Sequence, residues 1–270
     1  MIAAIGRGIF YHVCLYGLGF FSALTMVFVL KMKPHSPLMV RFGAFICPLL
    51  VKAAGVKVIV DGKENIQSIK DKSYIIISNH VTTLDVPIHM VALNCYDISY
   101  IYSSKTVLAI PIVGRFIARI FNSFGWLGIN PDSSLSFKLC VDKVVKLKQQ
   151  RGKLRVAICP EGDRSKAGEI NEFKKGAFYL AVLMDMPIVP ILMQGVSQVH
   201  KVRTLPVYAN KVGIQILPPI YPPKIKSDMS NLSQVATSLN KQIESLYTSI
   251  PDLNKNHNSY RLWQERAYNQ

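Results

Sequence analysis

Acidic residues are scarce in this chain, and before Asp61 there are none, although Arg7, Lys31, Lys33, Arg41, Lys52 and Lys57 all fall in or beside that stretch. Over the whole sequence 16 Asp and Glu stand against 32 Lys and Arg, a formal net charge of +16. Such an excess draws a protein toward anionic surfaces, lipid headgroups among them. A nucleic-acid partner is not expected: the basic residues are scattered, zinc-ligand spacing is missing, and so is the aromatic motif of RNA-binding sheets. Paired cysteines are missing too. Cys14, Cys47, Cys95, Cys140 and Cys159 are odd in number and lack a C-x-x-C spacing, which implies neither a disulfide framework nor a metal site and fits a reducing compartment. No Gly-x-Ser-x-Gly elbow is present, which argues against a serine lipase.

Hydrophobic residues are plentiful, at 50% of 270, and they concentrate near the N-terminus. Gly8 to Leu30 carries no charge and is long enough to cross the hydrocarbon of a bilayer, about 30 Å. A cleaved signal peptide is the alternative, but the run exceeds a typical h-region, and Lys31-Met32-Lys33-Pro34 stands where a cleavage site would be expected. A second apolar stretch, Pro37 to Val56, is broken by Arg41, Pro48 and Lys52 and suits either an interfacial helix or a core helix. Residues 1–55 are therefore expected to form a membrane helix or two-helix membrane anchor. The cations behind Leu30 place the rest of the chain on the cytoplasmic face.

Between residues 56 and 222 short β-branched runs alternate with helical patterns. Strands are expected at Val56–Val60, Tyr74–Ser78, Ile98–Tyr102, Val156–Cys159, Ile188–Leu192 and Val212–Leu217. Helices are expected at Pro87–Asn94, Thr106–Phe121, Ser133–Lys148 and Phe173–Asp185, the third capped by Ser133 or Asp132. The fold class is α/β, a mixed and mainly parallel sheet flanked by helices, its continuously apolar strands implying cover on both faces. The basic residues from Lys138 to Arg155 read as the solvated side of a helix. Residues 223–270 add a helix around Asn231–Tyr247 and a polar tail.

Two segments carry chemistry, and each directly follows a strand, where α/β folds expose reactive side chains. The first is Asn79-His80-Val81-Thr82-Thr83-Leu84-Asp85. A carboxylate that accepts from one ring nitrogen of a histidine fixes its tautomer and leaves the other nitrogen to take a proton from a hydroxyl. His80 and Asp85 could do this if the chain turns tightly between them; otherwise His80 is a structural residue at a strand end. The second is Pro160-Glu161-Gly162-Asp163-Arg164-Ser165, where Gly162 permits close approach of a ligand and Arg164 offers a planar fork for phosphate or carboxylate. Its plainer reading is a polar surface turn. No metal site is called for.

Together these segments resemble the 1-acyl-glycerol-3-phosphate acyltransferases, also called lysophosphatidic acid acyltransferases. Lys105 with Ile110-Pro111-Ile112-Val113-Gly114, Phe173-Lys174-Lys175-Gly176-Ala177 and Ile188-Val189-Pro190-Ile191 extend the resemblance over roughly Val56 to Leu217. It implies His80 as general base, Asp85 as its orienter, and Glu161, Gly162 and Arg164, with Lys105, around the acceptor headgroup. The implied reaction moves a fatty acyl group from acyl-CoA or acyl-carrier protein to a lysophospholipid hydroxyl, with no other cofactor and with membrane lipids as partners. Two positions depart from the family pattern: Asp163 stands where a threonine is usual, and Asn130 stands where an arginine is usual, with Arg115, Arg119 or Lys138 as substitutes. They admit another lysophospholipid or a hydroxylated lipoamino acid as acceptor. A thioester or phospholipid hydrolase and a non-catalytic membrane adaptor are the readings from other classes.

Overall fold

The computed structural model describes residues 1–21, 24–25, 37–164, 170–200, 204–225 and 229–249. Among them the strands are β1 (Val56–Asp61), β2 (Tyr74–Ser78), β3 (Ser99–Ser103), β4 (Leu127–Ile129), β5 (Arg155–Ile158), β6 (Ile188–Gln194) and β7 (Asn210–Ile216). They form one 7-stranded sheet in the order β1-β7-β6-β2-β5-β3-β4. Every neighbouring pair is parallel except β6 with β7, so β1 and β7 run against the other five. The mixed, mainly parallel sheet read from the sequence is thus present. The strand missed there is β4, whose three residues are too few to show a periodicity.

The helices are α1 (Ile2–His12), α2 (Pro37–Ala53), α3 (Lys63–Gln67), α4 (Asp85–Ala92), α5 (Ser104–Leu108), α6 (Gly114–Ser123), α7 (Ser134–Arg151), α8 (Gly176–Met184), α9 (Val196–Val199) and α10 (Leu232–Ser249). They cover both faces of the sheet. Successive side chains of β2 point to opposite sides, so Tyr74 and Ile76 enter the core under α1, α2 and α4, and Ile75 and Ile77 enter the core under α7, α8 and α10. Burial of all five β2 residues explains the uninterrupted apolar run in the sequence. Ser133 caps α7, its hydroxyl accepting from the Ser136 N–H at 3.2 Å.

The single helix expected over Thr106–Phe121 is two. Pro111 lacks an N–H and disfavours helical backbone at the residue before it, and α5 stops at Leu108. The chain then folds back so tightly that a Cβ at Gly114 would collide with the Val107 carbonyl, and α6 begins there.

The expected N-terminal membrane helix is also revised. α1 ends at His12 and the backbone continues through Phe20 in wider, π-type turns. Among the described residues no helix is long and apolar enough to cross a membrane; residues 22–23 and 26–30 of the apolar run lie outside them. One side of α1 is docked on the sheet domain. Gly8 lies against the Leu205 carbonyl, Arg7 Nη1 donates to the Val207 carbonyl at 3.1 Å, and Tyr11 is buried. The other side, with Ile2, Ile9, Phe10, Val13 and Tyr16, is exposed. α2 divides likewise: Met39, Ile46, Cys47 and Leu50 are core, while Leu38, Arg41 and Phe45 face out.

Candidate active site

β2, β5, β3 and β4 end at the same edge of the sheet, and the site lies there, on the segments that leave β2 and β5. The β2–β6 ladder stops at Ser78, paired with Ile191. Asn79 extends it with a side chain: its carboxamide donates to the Met193 carbonyl at 3.0 Å and accepts from the Met193 N–H at 2.9 Å. β6 therefore keeps its partner while the backbone of His80 turns off the sheet. The Tyr247 hydroxyl performs a similar service one step earlier. Its single proton is shared between the carbonyls of Ile77 (2.6 Å) and Ile191 (3.0 Å), and its oxygen accepts from the Ile191 N–H at 3.2 Å.

The five-residue spacing of His80 and Asp85 is closed by a tight turn wound about the carboxylate. Asp85, buried in the first turn of α4, accepts from the N–H of Val81 at 2.7 Å and of Thr82 at 3.1 Å. The Thr82 hydroxyl accepts from the Leu84 N–H at 3.0 Å, fixing the approach to the helix. With the loop so held, His80 Nδ1 lies 2.7 Å from Asp85 Oδ2. A carboxylate can only accept, so Nδ1 carries the proton and Nε2 holds the lone pair. The His80 side chain is 25% exposed, within reach of solute.

Glu161 ties the second segment to the first. It is buried, and its Oε1 accepts from the His80 N–H at 2.8 Å while Oε2 accepts from the Asn171 N–H at 3.0 Å. Burial raises its pKa, and the two backbone donors, with the nearby His80 ring, act in the opposite direction. Gly162 turns the chain at φ +77, its N–H donating to the Cys159 carbonyl at 3.1 Å. The Lys174 side chain lies across Gly162, where a Cβ would strike its Nζ and Cε. Arg164 is exposed beyond the turn, and its charge reaches Cys159 and His200. Asp163 beside it is exposed; Ser165 lies outside the described residues.

Lys105 and Asp132 form an exposed ion pair, and Asp132 is pulled below the usual carboxylate range by Lys105 first and by Lys174 to a smaller extent. Asn130 is absorbed in the turn before α7: its side-chain oxygen accepts from the Asp132 N–H at 3.1 Å and its own N–H donates to Ser136 Oγ at 2.8 Å. Arg115 and Arg119 are exposed on α6, and Lys138 is exposed on α7. Sequence reasoning gave no role to Lys174, Asn79 or Tyr247. For Lys174 the signal was the Phe173–Ala177 block, and for Asn79 its place beside His80. Cys159 stands at the end of β5 with Sγ 3.6 Å from Ser78 Oγ, and burial, reinforced by the charge of Asp85, pushes its thiol up to about 12. It is held as a thiol, not a nucleophilic thiolate. Among the described residues no three His, Cys, Asp or Glu side chains gather to hold a metal ion.

The Acyltransferase family model matches residues 57–194, which contain His80, Asp85, Glu161 and Arg164. A chloroplastic 1-acyl-sn-glycerol-3-phosphate acyltransferase of Brassica napus is 31% identical over 142 residues, 52% of this chain and 38% of the relative. The 1-acyl-sn-glycerol-3-phosphate acyltransferase of Borreliella burgdorferi is 30% identical over 140 residues, 52% of each chain. The chain spans about half the length of the curated relatives it matches. The crystal structure of the 1-acyl-sn-glycerophosphate acyltransferase PlsC from Thermotoga maritima shares the fold, with a TM-score of 0.58, 18% identity and 91% of this chain covered against 96% of that one. On that match over residues 57–194, the chain belongs to the acyltransferase family.

Proposed function

We propose that the chain transfers a fatty acyl group from acyl-CoA or acyl-carrier protein to the free hydroxyl of 1-acyl-glycerol-3-phosphate, making phosphatidic acid for phospholipid synthesis. The observation that carries this reading is the His80–Asp85 pair at 2.7 Å, which sets the lone pair on Nε2, beside a turn that holds Arg164 and Lys174. In the reaction His80 Nε2 takes the proton of the acceptor hydroxyl as its oxygen bonds to the thioester carbonyl carbon. Asp85 stabilises the imidazolium that forms. Collapse of the tetrahedral adduct breaks the carbon–sulfur bond, and the leaving thiolate takes the proton back from His80. No covalent enzyme intermediate is required, and Cys159 is given no part in the step.

Arg164 and Lys174 are the cations assigned to the acceptor phosphate, Lys174 adding the charge that Asn130 does not supply. Glu161 acts as a positioning residue that locks the His80 backbone to the second segment. The exposed apolar side of α1 supports a membrane-held enzyme, and Lys31, Lys33 and Arg41 support a cytoplasmic-facing catalytic domain. Exposed Asp163 favours a second acceptor class in which a cationic headgroup meets that carboxylate. A panel comparing lysophosphatidic acid with lysophospholipids bearing choline or ethanolamine separates the two.

The primary test is thiol release from oleoyl-CoA by detergent-purified protein, with and without lysophosphatidic acid. Acceptor-dependent release should fall by about 10²–10⁴ in His80→Ala. Release of free fatty acid without acceptor would establish a hydrolase instead, and full activity in His80→Ala would sink the assigned base.

A further inference from the structure

The segment joining α5 to α6 presents apolar side chains to solvent by construction. Val113 N–H donates to the Pro111 carbonyl at 2.6 Å, closing a three-residue turn around Ile112. Ile112 has φ +64, a left-handed conformation that a β-branched side chain rarely adopts, and it is 90% exposed. Flanking bonds from Ile110 N–H to the Val107 carbonyl (3.2 Å) and from Gly114 N–H to the Ile110 carbonyl (3.1 Å) hold the turn on its base. Leu108, Ile110, Val113 and Phe116 are exposed around it. Such a patch on a soluble surface is a liability unless something apolar receives it.

The charge around the turn identifies the recipient. From Ile98 to Pro131 there is no acidic residue, and Arg115 and Arg119 stand on the helix that leaves the turn. An apolar tip with two exposed arginines on the helix behind it and no carboxylate nearby in the chain matches the interface of a bilayer that contains anionic lipid. Position agrees. α5 leaves the carboxyl end of β3, the edge where β2 and β5 release His80 and Glu161. The exposed side of α1 lies toward the opposite end of the sheet order, where Ala4 accepts from the Val207 N–H between β6 and β7.

We propose that the Leu108–Phe116 hook is a second membrane-contact element, entering a bilayer interface of anionic lipid so that the site is bracketed by the hook and by α1. This rests on the reading of the chain as an enzyme of membrane lipids, and the assays below separate the two.

The full chain is mixed with vesicles of phosphatidylcholine and phosphatidylglycerol whose acyl chains are brominated. Phe116→Trp should gain fluorescence that the bromine quenches once the protein sediments with the vesicles. Ile112→Asn suits the left-handed backbone better than isoleucine, so its melting temperature should hold or rise while vesicle partitioning weakens about tenfold. Arg115→Gln should weaken partitioning on phosphatidylglycerol vesicles and leave it unchanged on pure phosphatidylcholine. Unquenched fluorescence from the vesicle-bound Phe116→Trp variant, or wild-type partitioning by Ile112→Asn, overturns the hook. Thiol release in detergent micelles by the Phe116→Trp and Ile112→Asn variants should match wild type; its absence in wild type as well would count against the acyltransferase reading and leave the hook standing.

Discussion

Replacing Asp85 by Asn tests the site at the point where structure and chemistry meet. The carboxylate now accepts from three N–H groups: His80 Nδ1 at 2.7 Å, Val81 N at 2.7 Å and Thr82 N at 3.1 Å. An amide keeps one acceptor oxygen and turns an NH2 toward the remaining donors. If the oxygen faces His80 and Val81, the Thr82 N–H keeps it at 3.1 Å but meets the NH2 where it had a second acceptor, a buried donor–donor contact that costs about 1–3 kcal/mol. If the NH2 faces His80, the ring must present a lone pair at Nδ1, which moves the proton to Nε2 and abolishes the base. Either way the charge that stabilises the imidazolium is gone. The expected fall in kcat is about 10³–10⁴, with little change in KM for the acyl donor. The assay is acceptor-dependent thiol release at saturating donor, with circular dichroism melting as a check that the protein is folded. A folded Asp85→Asn enzyme that keeps more than a tenth of wild-type kcat would refute the assignment of Asp85 as orienter of the base.

Three further outcomes follow from buried groups around the same edge. Glu161→Gln leaves either the His80 or the Asn171 N–H facing an amide N–H, so kcat should fall while the acceptor KM holds; a raised acceptor KM with unchanged kcat would instead place Glu161 against the headgroup. Tyr247→Phe removes the acceptor of the Ile191 N–H and the one proton shared by the carbonyls of Ile77 and Ile191, which should cost about 2 kcal/mol and lower the melting temperature by about 4–8 °C. His89, whose two ring nitrogens have no hydrogen-bond partner among the described residues, is driven by burial down to about 4. The unfolded chain takes this proton near pH 6.5, so between those values the unfolded state binds more protons and stability falls as pH falls, by roughly 2 kcal/mol at pH 5. Urea titrations of wild type and His89→Leu at pH 7 and pH 5 should differ by that amount, and equal pH dependence would show that His89 is not the buried group responsible.

What could be read in the sequence depended on whether a residue's partner leaves a mark of its own. β2 and β6 were legible because burial on both faces demands apolar residues at every position. His80 and Asp85 were legible because both members of the pair are side chains. Glu161 was legible as a residue of the site, but its partners are the backbone N–H groups of His80 and Asn171, which any residue could supply. The same holds for Asn79 and for Tyr247, the latter arriving from a helix far along the chain to close a gap between β2 and β6. The break at Pro111 was signalled by the proline and by Gly114, and the helical pattern on either side overrode it. The N-terminal run was read from its length alone, whereas Gly8 and Tyr11 commit that side of the helix to packing on residues that follow β6.

The strand order has a consequence for the chain as it leaves the ribosome. β3 and β4 pair across a short connection, Ile101 opposite Leu127, and β5 can join them soon after. β1 has no neighbour except β7, and Val56 must wait for Asn210, about 150 positions later. At a synthesis rate of about 5–20 residues/s, that wait is on the order of 10–30 s. Throughout it β1 and the helix before it stand without the edge of the sheet that they complete, so this corner of the fold is among the last to close.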